Sequence, residues 1–269
     1  MNIYNKRKKE VHKYNFGSLL IIGGSKIYSG SPALNALAAL KSGVDIVEVA
    51  APERSANIIA SFSPNLITYP LKGDFLEKKH LDEIFKIIRN KTACIIGSGL
   101  GREKKTFIAV QEFLKKINLP CVIDADAIYA ISEKKEILKE NFILTPHPYE
   151  FFILSSEKIE KNLNKRKKQV KRIAKKFGIV ILLKGYIDII SDGKKIYLNK
   201  TGSPYMTKGG TGDILAGICG ALLARKIEPI KAAFYSAYIN GKAGELAGKK
   251  YGESLLATDL LDMIYKVIK

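Results

Sequence analysis

A glycine-rich segment that ends in a carboxylate, at residues 208–213, has the composition of a phosphoryl-transfer site. Its three glycines, Gly210 and Gly212 among them, let the backbone adopt positive φ and approach a ligand closely. The apolar run at 214–224 predicts a buried helix, whose N-terminus gathers N–H groups and a positive dipole end around an anion. Asp213, in the first turn, could accept a proton from a substrate hydroxyl. The alternative is a plain N-capping aspartate, but three glycines in four positions favour a functional site.

The composition of the 269-residue chain allows one large α/β domain or two small ones. Hydrophobic residues make up 46%, which supports a full core. Cys94, Cys121 and Cys219 are odd in number and lack metal-ligand spacing, so we expect buried thiols in a reducing cytoplasm. Residues 1–15 are polar and basic, without the apolar region of a signal peptide. The run at 214–224 is too short to span a bilayer.

The net charge of +19 raises the alternative of a nucleic-acid-binding protein. The charge is densest at residues 158–176, where Val170, Ile173, Ala174 and Phe177 recur at helical spacing. That spacing predicts an amphipathic helix with one buried face and its basic residues in solvent. The interleaved aromatic and basic residues of a base-stacking surface are missing. We therefore expect small anionic ligands, with neither nucleic acid nor membrane as a partner.

Short apolar runs that end in glycine, proline or aspartate predict the strands of an α/β sheet with helices between them. We expect strands at residues 19–22, 44–50, 66–69, 93–96, 121–123, 142–144 and 180–183, and a hairpin of 187–191 with 195–198. We expect helices at 33–42, 52–60, 81–88, 104–117 and 229–248, and a last helix after 256. Ligands of such sheets bind at the carboxyl ends of the strands.

Three loops that follow predicted strands carry further candidates. Residues 97–102 contain three glycines, more than an ordinary turn requires. Asp124 and Asp126 could hold Mg²⁺ through water, because Mg²⁺ prefers oxygen ligands, or could cap the next helix. We expect capping for at least one of them. His147 lies in a rigid loop between two prolines, where a surface histidine is the default interpretation.

Several of these motifs, taken in order, resemble those of the NAD(P)H-hydrate dehydratases, which have a ribokinase-like fold. The resemblance runs from about Gly17 to the C-terminus and is most specific at residues 201–217. There, Thr-Gly precedes and Leu-Ala-Gly follows the Gly-Thr-Gly-Asp shared by the wider superfamily. The other matching segments are Gly-Gly-Ser at 23–25, Gly-Ser-Pro at 30–32, Gly-Ser-Gly-Leu-Gly at 97–101, Asp-Ala-Asp-Ala at 124–127, Thr-Pro-His-Pro-Tyr-Glu at 145–150 and Lys-Gly at 184–185.

The chain departs from the family pattern at three of these places. Ser31 stands where the family usually has alanine, and it adds a hydroxyl at a substrate-contact position. Ser98 replaces a proline. Tyr149 stands where glycine is common, so the local backbone could need a positive φ that tyrosine adopts with difficulty.

The resemblance implies an α/β, ribokinase-like fold with a central, mostly parallel sheet flanked by helices on both faces. It implies a single domain over residues 1–269, with 1–16 as a basic N-terminal extension, and no room for the epimerase domain of bifunctional relatives. Asp213 would be the catalytic base, with the amides around Gly210 and Gly212 stabilising the transferred phosphoryl group. The substrate-binding residues would be Ser31, Gly101, His147 and Asp213. The nucleotide-binding residues would be Lys184, Gly185, Tyr186, Ile187, Asp188 and Gly212, and we assign no protein metal ligands.

The implied reaction repairs the S-epimer of hydrated NADH or NADPH (NADHX or NADPHX). The C6 hydroxyl is phosphorylated by ADP, or by ATP as in eukaryotic relatives, with Mg²⁺ as cofactor, and phosphate then leaves. The resemblance also implies a homo-oligomer, with a homotetramer as one form, and the buried thiols favour a cytoplasmic location. Two alternatives stay open: a vitamin-alcohol kinase of the same superfamily, and a basic nucleotide- or nucleic-acid-binding protein without catalysis.

Overall fold

A sheet of nine strands forms the centre of the computed structural model, which describes residues 3–4 and 7–268. The strands are β1 Ser18–Ile22, β2 Ile46–Pro52, β3 Ile67–Leu71, β4 Ala93–Ile96, β5 Cys121–Ile123, β6 Phe142–Leu144, β7 Val180–Leu183, β8 Asp188–Ser191 and β9 Ile196–Asn199. Their order is β3-β2-β1-β4-β5-β6-β7-β8-β9. The first seven pair in parallel, whereas β8 and β9 form the expected antiparallel hairpin at one edge.

Helices cover both faces of the sheet, as the sequence predicts. They are α1 Gly30–Lys41, α2 Glu53–Phe62, α3 Leu81–Ile88, α4 Lys104–Lys116, α5 Asp126–Ala130, α6 Pro148–Ser155, α7 Leu163–Phe177, α8 Thr211–Ala224, α9 Pro229–Tyr251, α10 Ala257–Leu261 and α11 Ile264–Ile268. Helices α1, α2 and α8–α11 share one apolar core, and α3–α7 share the other. None of the helices in the described part of the chain has the length and apolar character needed to cross a membrane.

The strands read as continuous apolar runs because both faces of the sheet are buried. In β1, Leu19 and Ile21 enter one core, while Leu20 and Ile22 enter the other. The central helix of the first face is α8, in which every residue from 214 to 224 is buried. A Cβ on its Gly217 would lie 2.3 Å from a backbone oxygen of α1, so this glycine permits close packing of α1 against α8.

The described part of the N-terminal extension packs against the ends of α1 and α8. The Tyr4 hydroxyl donates to the Ser42 carbonyl at 2.6 Å, and the Arg225 guanidinium lies 4.1 Å from the centre of the Tyr4 ring. Arg7 pairs with Asp45 at 3.3 Å. Positions 1, 2, 5, 6 and 269, which belong to the expected extension and domain, lie outside the described residues.

Three other sequence predictions have clear outcomes. The basic helix forms as α7, with Val170, Ile173 and Ala174 buried, so the density of lysine there belongs to its solvent face. The three cysteines are free and buried, as expected. Tyr149 lies within α6 and is not among the residues with positive φ, so this position does not require glycine.

Candidate active site

The sheet has a topological switch point between β1 and β4. These strands are neighbours, but the chain leaves β1 toward β2 and β3 and leaves β4 toward β5, so a crevice opens between their carboxyl ends. The two loops at this crevice are bonded to each other. Gly24 N donates to Ser98 O at 2.9 Å, and Gly97 N donates to Ile22 O at 3.2 Å. The glycine-rich segments after both strands therefore form one continuous wall.

A cavity of about 450 Å³ lies at this wall. Its size is that of a small-molecule site. Two of the predicted substrate-binding residues, Ser31 and Gly101, line the cavity, together with the aromatic rings of Tyr28 and Phe75. Its lining does not include Asp213, His147 or the nucleotide segment 184–188. The cavity is thus one part of the predicted site, and the titratable groups lie beside it.

Asp213 is held in the first turn of α8, directly after the glycine-rich segment. The N-cap of α8 is Gly210, with φ of +95°, so the alternative that Asp213 is a plain N-cap is wrong. A Cβ on Gly210 would lie 2.7 Å from a methyl of Leu34, which leaves no room for a side chain. The Asn35 amide donates to the Asp213 carbonyl at 2.7 Å and anchors this turn to α1.

The environment of Asp213 raises the pKa of its carboxyl to about 6. Burial is the main cause, and the charge of Asp124 adds to it. The hydroxyls of Ser31 and Ser98 and the charge of Lys184 oppose the rise. Ser98 Oγ is buried and has no hydrogen-bond partner of normal geometry among the described residues, so it lies near the carboxylate without a hydrogen bond to it. Ser31 connects the two parts of the site, since it lines the cavity and also influences Asp213.

Lys184 lies at the end of β7 and faces three carboxylates. Its ammonium donates to Asp124 Oδ1 at 3.0 Å and lies 3.8 Å from Glu150 Oε2. Burial alone would lower the pKa of Lys184, but Asp124, Glu150 and Asp213 raise it, so the ammonium is charged. A Cβ on Gly212 would lie 3.6 Å from the Lys184 Nζ, so these two predicted nucleotide-binding residues are adjacent.

The expectation that Asp124 or Asp126 caps the next helix is wrong. The N-cap of α5 is Ala125, with φ of +47° and no side-chain capping bond. Asp124 instead accepts from Lys184 and, at 2.6 Å, from the Thr145 hydroxyl. Asp126 accepts from the backbone N–H of Gly101 at 2.9 Å. Both carboxylates lie at the carboxyl ends of the strands. Their position directly after a predicted strand was the feature of the sequence that could have indicated this placement.

His147 caps α6 rather than pointing freely into solvent. Its Nδ1 accepts from the N–H groups of Tyr149 and Glu150 at 3.1 and 3.3 Å, and Glu150 Oε2 accepts from His147 N at 2.8 Å. Because Nδ1 is an acceptor, the proton is assigned to Nε2, which lies 3.4 Å from Glu150 Oε1. Burial and the charge of Lys184 lower the pKa of His147, so the ring is neutral. The side chain is 46% exposed, which leaves an edge for a ligand.

The remaining predicted nucleotide residues form a tight loop between β7 and β8. Asp188 Oδ1 accepts from Gly185 N, and its Oδ2 accepts from the Asn199 amide, both at 2.9 Å. Asp188 therefore braces the loop from within. Tyr186, at the tip of the loop, is 97% exposed, and Ile187 is half-buried.

The sequence did not predict a place in the site for four further residues, Thr145, Glu150, Asn35 and Ser98. Glu150 and Thr145 stand in the Thr-Pro-His-Pro segment, which was a usable signal. Asn35 was hidden within an alanine-rich helix, and only the packing of α1 on α8 reveals it.

Among residues 3–4 and 7–268, no cluster of three or more His, Cys, Asp or Glu side chains could cage a metal ion. Asp124 and Asp213 lie within electrostatic reach of each other. Mg²⁺ commonly binds through one or two carboxylates together with substrate phosphates, so Asp124 fits as a ligand of a magnesium ion that arrives with a nucleotide, while Asp213 stays free to accept a proton.

Comparison with known proteins gives one family over nearly the whole chain. A family model for NAD(P)H-hydrate dehydratase matches residues 19–266. The ADP-dependent (S)-NAD(P)H-hydrate dehydratase of Nitrosopumilus maritimus is 38% identical over 266 residues, which cover 98% of this chain and 92% of that protein. The bifunctional NAD(P)H-hydrate repair enzyme of Pyrobaculum aerophilum is 39% identical over 265 residues, 98% of this chain and 52% of that protein. The chain thus spans about half the length of the bifunctional relatives it matches.

The fold is similar to a solved structure from Bacillus subtilis, that of an ADP/ATP-dependent NAD(P)H-hydrate dehydratase co-crystallised with ATP/Mg²⁺. The TM-score is 0.82 at 28% identity, covering 98% of this chain and 94% of that one. The ribokinase-like fold with a mostly parallel sheet between two helical layers is confirmed.

Proposed function

Since this chain belongs to the NAD(P)H-hydrate dehydratase family, we propose that it restores NADH and NADPH from the S-epimers of their hydrates. The donor is ADP, which leaves as AMP and phosphate. The observation that carries this proposal is the setting of Asp213. Its carboxyl is held in the first turn of a buried helix, after a glycine-rich loop, between the cavity-lining Ser31 and the charged Lys184.

Asp213 acts as the base on the C6 hydroxyl of the hydrated ring. With a pKa of about 6, its carboxyl is ionised at neutral pH and is better suited to accept a proton than an ordinary aspartate. The N–H groups at the start of α8, around Gly210 and Gly212, stabilise the charge on the transferred phosphoryl group. Phosphorylation turns hydroxide into a good leaving group. The C6–O bond then breaks, a proton leaves C5, and the ring double bond returns.

The nucleotide occupies the segment from Lys184 to Asp188 and the adjacent Gly212. The proximity of the Lys184 ammonium to Gly212 supports this assignment, because it combines a cation with the helix N-terminus beside the reacting phosphate. The Bacillus protein was co-crystallised with ATP/Mg²⁺, and the Nitrosopumilus protein is named ADP-dependent. Asp124 would hold a magnesium ion, which would neutralise phosphate charge, and Asp213 would remain the base.

The hydrated nicotinamide half lies in the cavity beside Ser31 and Gly101, with the exposed edge of His147 as a further contact. A cytoplasmic homo-oligomer, with a homotetramer as one form, belongs to the same proposal. The three free, buried thiols fit a reducing compartment.

The test is a dehydration assay with purified protein, NADHX, Mg²⁺ and either ADP or ATP. The return of reduced-nicotinamide absorbance is followed together with phosphate release, and a reaction without nucleotide gives the background. Recovery with ADP supports the reaction and its donor at once, while recovery with ATP alone changes the donor. No recovery with either nucleotide, in protein shown to be folded, contradicts the proposal. A stable phosphorylated alcohol as product would identify a vitamin kinase instead.

A further inference from the structure

Arg102 is a braced cation at the rim of the cavity that the mechanism above does not use. It follows Gly101 and lines the cavity. Its Nε donates to Asp126 Oδ1 at 3.0 Å, and its guanidinium carbon lies 3.7 Å from the centre of the Tyr129 ring. The side chain is 57% exposed, and neither amino group donates a hydrogen bond of normal geometry to another described residue. The guanidinium is thus fixed in orientation, and more than half of the side-chain surface is open to solvent.

One carboxylate holds both the cation and the glycine loop in place. Asp126 Oδ2 accepts from Gly101 N at 2.9 Å, and its Oδ1 accepts from Arg102. The position of the guanidinium relative to the loop is therefore set before any ligand arrives. The Arg102 charge also helps to lower the pKa of His147, so Arg102 lies within electrostatic reach of that residue as well as beside Gly101.

The other charges at this rim are occupied by partners. Lys105 pairs with Glu77 at 2.8 Å, and Lys26 pairs with Asp74 at 3.3 Å. Glu103 also lines the cavity, and Lys105 lies within electrostatic reach of it. A planar guanidinium that rests on an aromatic ring, and whose amino groups donate no hydrogen bond of normal geometry to the described residues, can bind phosphate with two parallel hydrogen bonds.

We propose that Arg102 binds the pyrophosphate of the dinucleotide substrate and so places the nicotinamide half in the cavity. This inference rests on the proposed function. The cavity of about 450 Å³, walled by Tyr28 and Phe75, takes the hydrated ring and its ribose but not a whole dinucleotide. The pyrophosphate must then cross the rim, where Arg102 stands.

The pyrophosphate fits this place better than the 2′-phosphate that distinguishes NADPHX from NADHX. Only one ribose separates the pyrophosphate from the nicotinamide ring, whereas the 2′-phosphate lies on the far ribose. Arg102 is the next residue after Gly101, which we place against the ring. Arg102 therefore contributes equally to both substrates and does not select between them.

The test compares Arg102→Gln and Arg102→Lys with wild type on NADHX, NADPHX and the hydrate of reduced nicotinamide riboside, which has no phosphate. For Arg102→Gln, we expect KM to rise about 10- to 100-fold on both dinucleotides with kcat little changed, because a charge-assisted bidentate contact is lost. Arg102→Lys restores part of the loss. On the riboside, kcat/KM stays at the wild-type value. Lys104→Gln removes one charge two residues away, outside the cavity lining, and is the matched control.

An unchanged KM on both dinucleotides overturns the inference, and so does an equal loss on the riboside, which would indicate a structural role. A loss confined to NADPHX overturns the pyrophosphate assignment in favour of the 2′-phosphate. Binding of NADH, followed by its own fluorescence, separates this inference from the proposed function. If wild type binds NADH through Arg102 without turning over NADHX, the proposed function fails and the phosphate contact stands. If wild type binds no NADH, the inference fails.

Discussion

The sheet has one buried lysine–carboxylate pair toward the amino ends of its strands (the amino edge) and another at their carboxyl ends (the carboxyl edge). The two pairs differ in what surrounds them. Toward the amino edge, Lys91 lies 2.7 Å from Glu48, with side chains 5% and 9% exposed. At the carboxyl edge, Lys184 lies 3.0 Å from Asp124, with side chains 20% and 3% exposed. By distance and burial alone, both would count as structural ion pairs.

The difference lies in the balance of charge. Lys91 and Glu48 neutralise each other, and Tyr69, whose pKa is raised by burial and by Glu48, is a neutral neighbour. Lys184 instead interacts electrostatically with three carboxylates, those of Asp124, Glu150 and Asp213. A closed pair stabilises the fold, whereas one ammonium among three carboxylates leaves a surplus of negative charge, which a cation such as Mg²⁺ would balance. Charge balance therefore distinguishes the amino edge from the carboxyl edge better than burial does. The carboxyl edge is called the reactive edge below, because the proposed active site lies there.

The largest expected effect comes from removing the surplus charge at Asp213. Asp213→Asn keeps the side-chain shape and should lower kcat by about 10²- to 10⁴-fold, the usual contribution of a general base. ADP binding, measured by calorimetry, should persist. Full turnover in this variant would exclude Asp213 as the base.

The same substitution should stabilise the protein at neutral pH. The pKa of Asp213 in the folded state, about 6, lies above its ordinary value of 3.8. The contribution of the Asp213 side chain to the free energy of unfolding is therefore complete below about pH 4 and is lost as the pH rises through 6. The loss is roughly 3 kcal/mol for a shift of about two units. Asparagine does not ionise, so thermal denaturation should show a gain at pH 8 that disappears near pH 4.

The same change at both lysines, Lys91→Met and Lys184→Met, tests the comparison directly. Lys91→Met leaves Glu48 buried and unpaired, which should cost about 3–5 kcal/mol in the free energy of unfolding. Its kcat should be normal at temperatures where the protein is folded. Lys184→Met should also cost stability, since Asp124 and Glu150 lose their cation, and should in addition raise the KM for ADP about 10- to 100-fold.

The double variant Lys91→Met with Glu48→Leu is the control for this pair of changes. Replacing both partners of a buried pair by apolar side chains is often neutral or stabilising, so most of the lost stability should return. If Lys91→Met raised the KM for ADP as strongly as Lys184→Met, the two edges would not differ in the way proposed.

Much of this arrangement could be predicted from the sequence, because it is local. The strands β4, β5, β6 and β7 have the predicted bounds, since apolar runs between glycine, proline and aspartate define short buried strands. The second strand begins at Ile46, two residues later than predicted, because Asp45 turns away to accept from Phe16 N and Arg7. The position of Gly210 and Asp213 at the start of a helix could be predicted for the same local reason.

The roles of Asp124 and Asp126 could not be predicted in this way. Each stands beside a helix start and would serve as a cap by local rules. Their actual donors are Thr145, Lys184 and Gly101, which lie 21, 60 and 25 residues away along the chain. Only the order of strands in the sheet brings these groups together.

The pH dependence of turnover should also differ from that of a purely structural carboxylate, with a smaller effect than the substitutions above. The Asp213 carboxyl must be ionised to act as a base, so kcat/KM should fall about tenfold per pH unit below its pKa of about 6. Asp213 makes the fold more stable as it becomes protonated, so circular dichroism at pH 5 should still report folded protein. A profile that stays flat to pH 5 would contradict the assignment. Burial and the charge of Lys184 lower the pKa of His147, so the control is His147→Asn, in which the same limb should remain if Asp213 produces it.

The smallest expected effect is at the amino edge, where Tyr4 ties the N-terminal extension to the end of α1. Tyr4→Phe removes the 2.6 Å bond to the Ser42 carbonyl but keeps the ring beneath Arg225. We expect a loss of about 1 kcal/mol, or a drop of about 2 to 4 °C in Tm, with kcat unchanged. Arg7→Gln removes a half-exposed ion pair and should change Tm less. Helices α1 and α8 both run from the reactive edge to this contact. A change in kcat for Tyr4→Phe would therefore show that the two edges are mechanically coupled, and an unchanged kcat would show that the amino edge contributes stability alone.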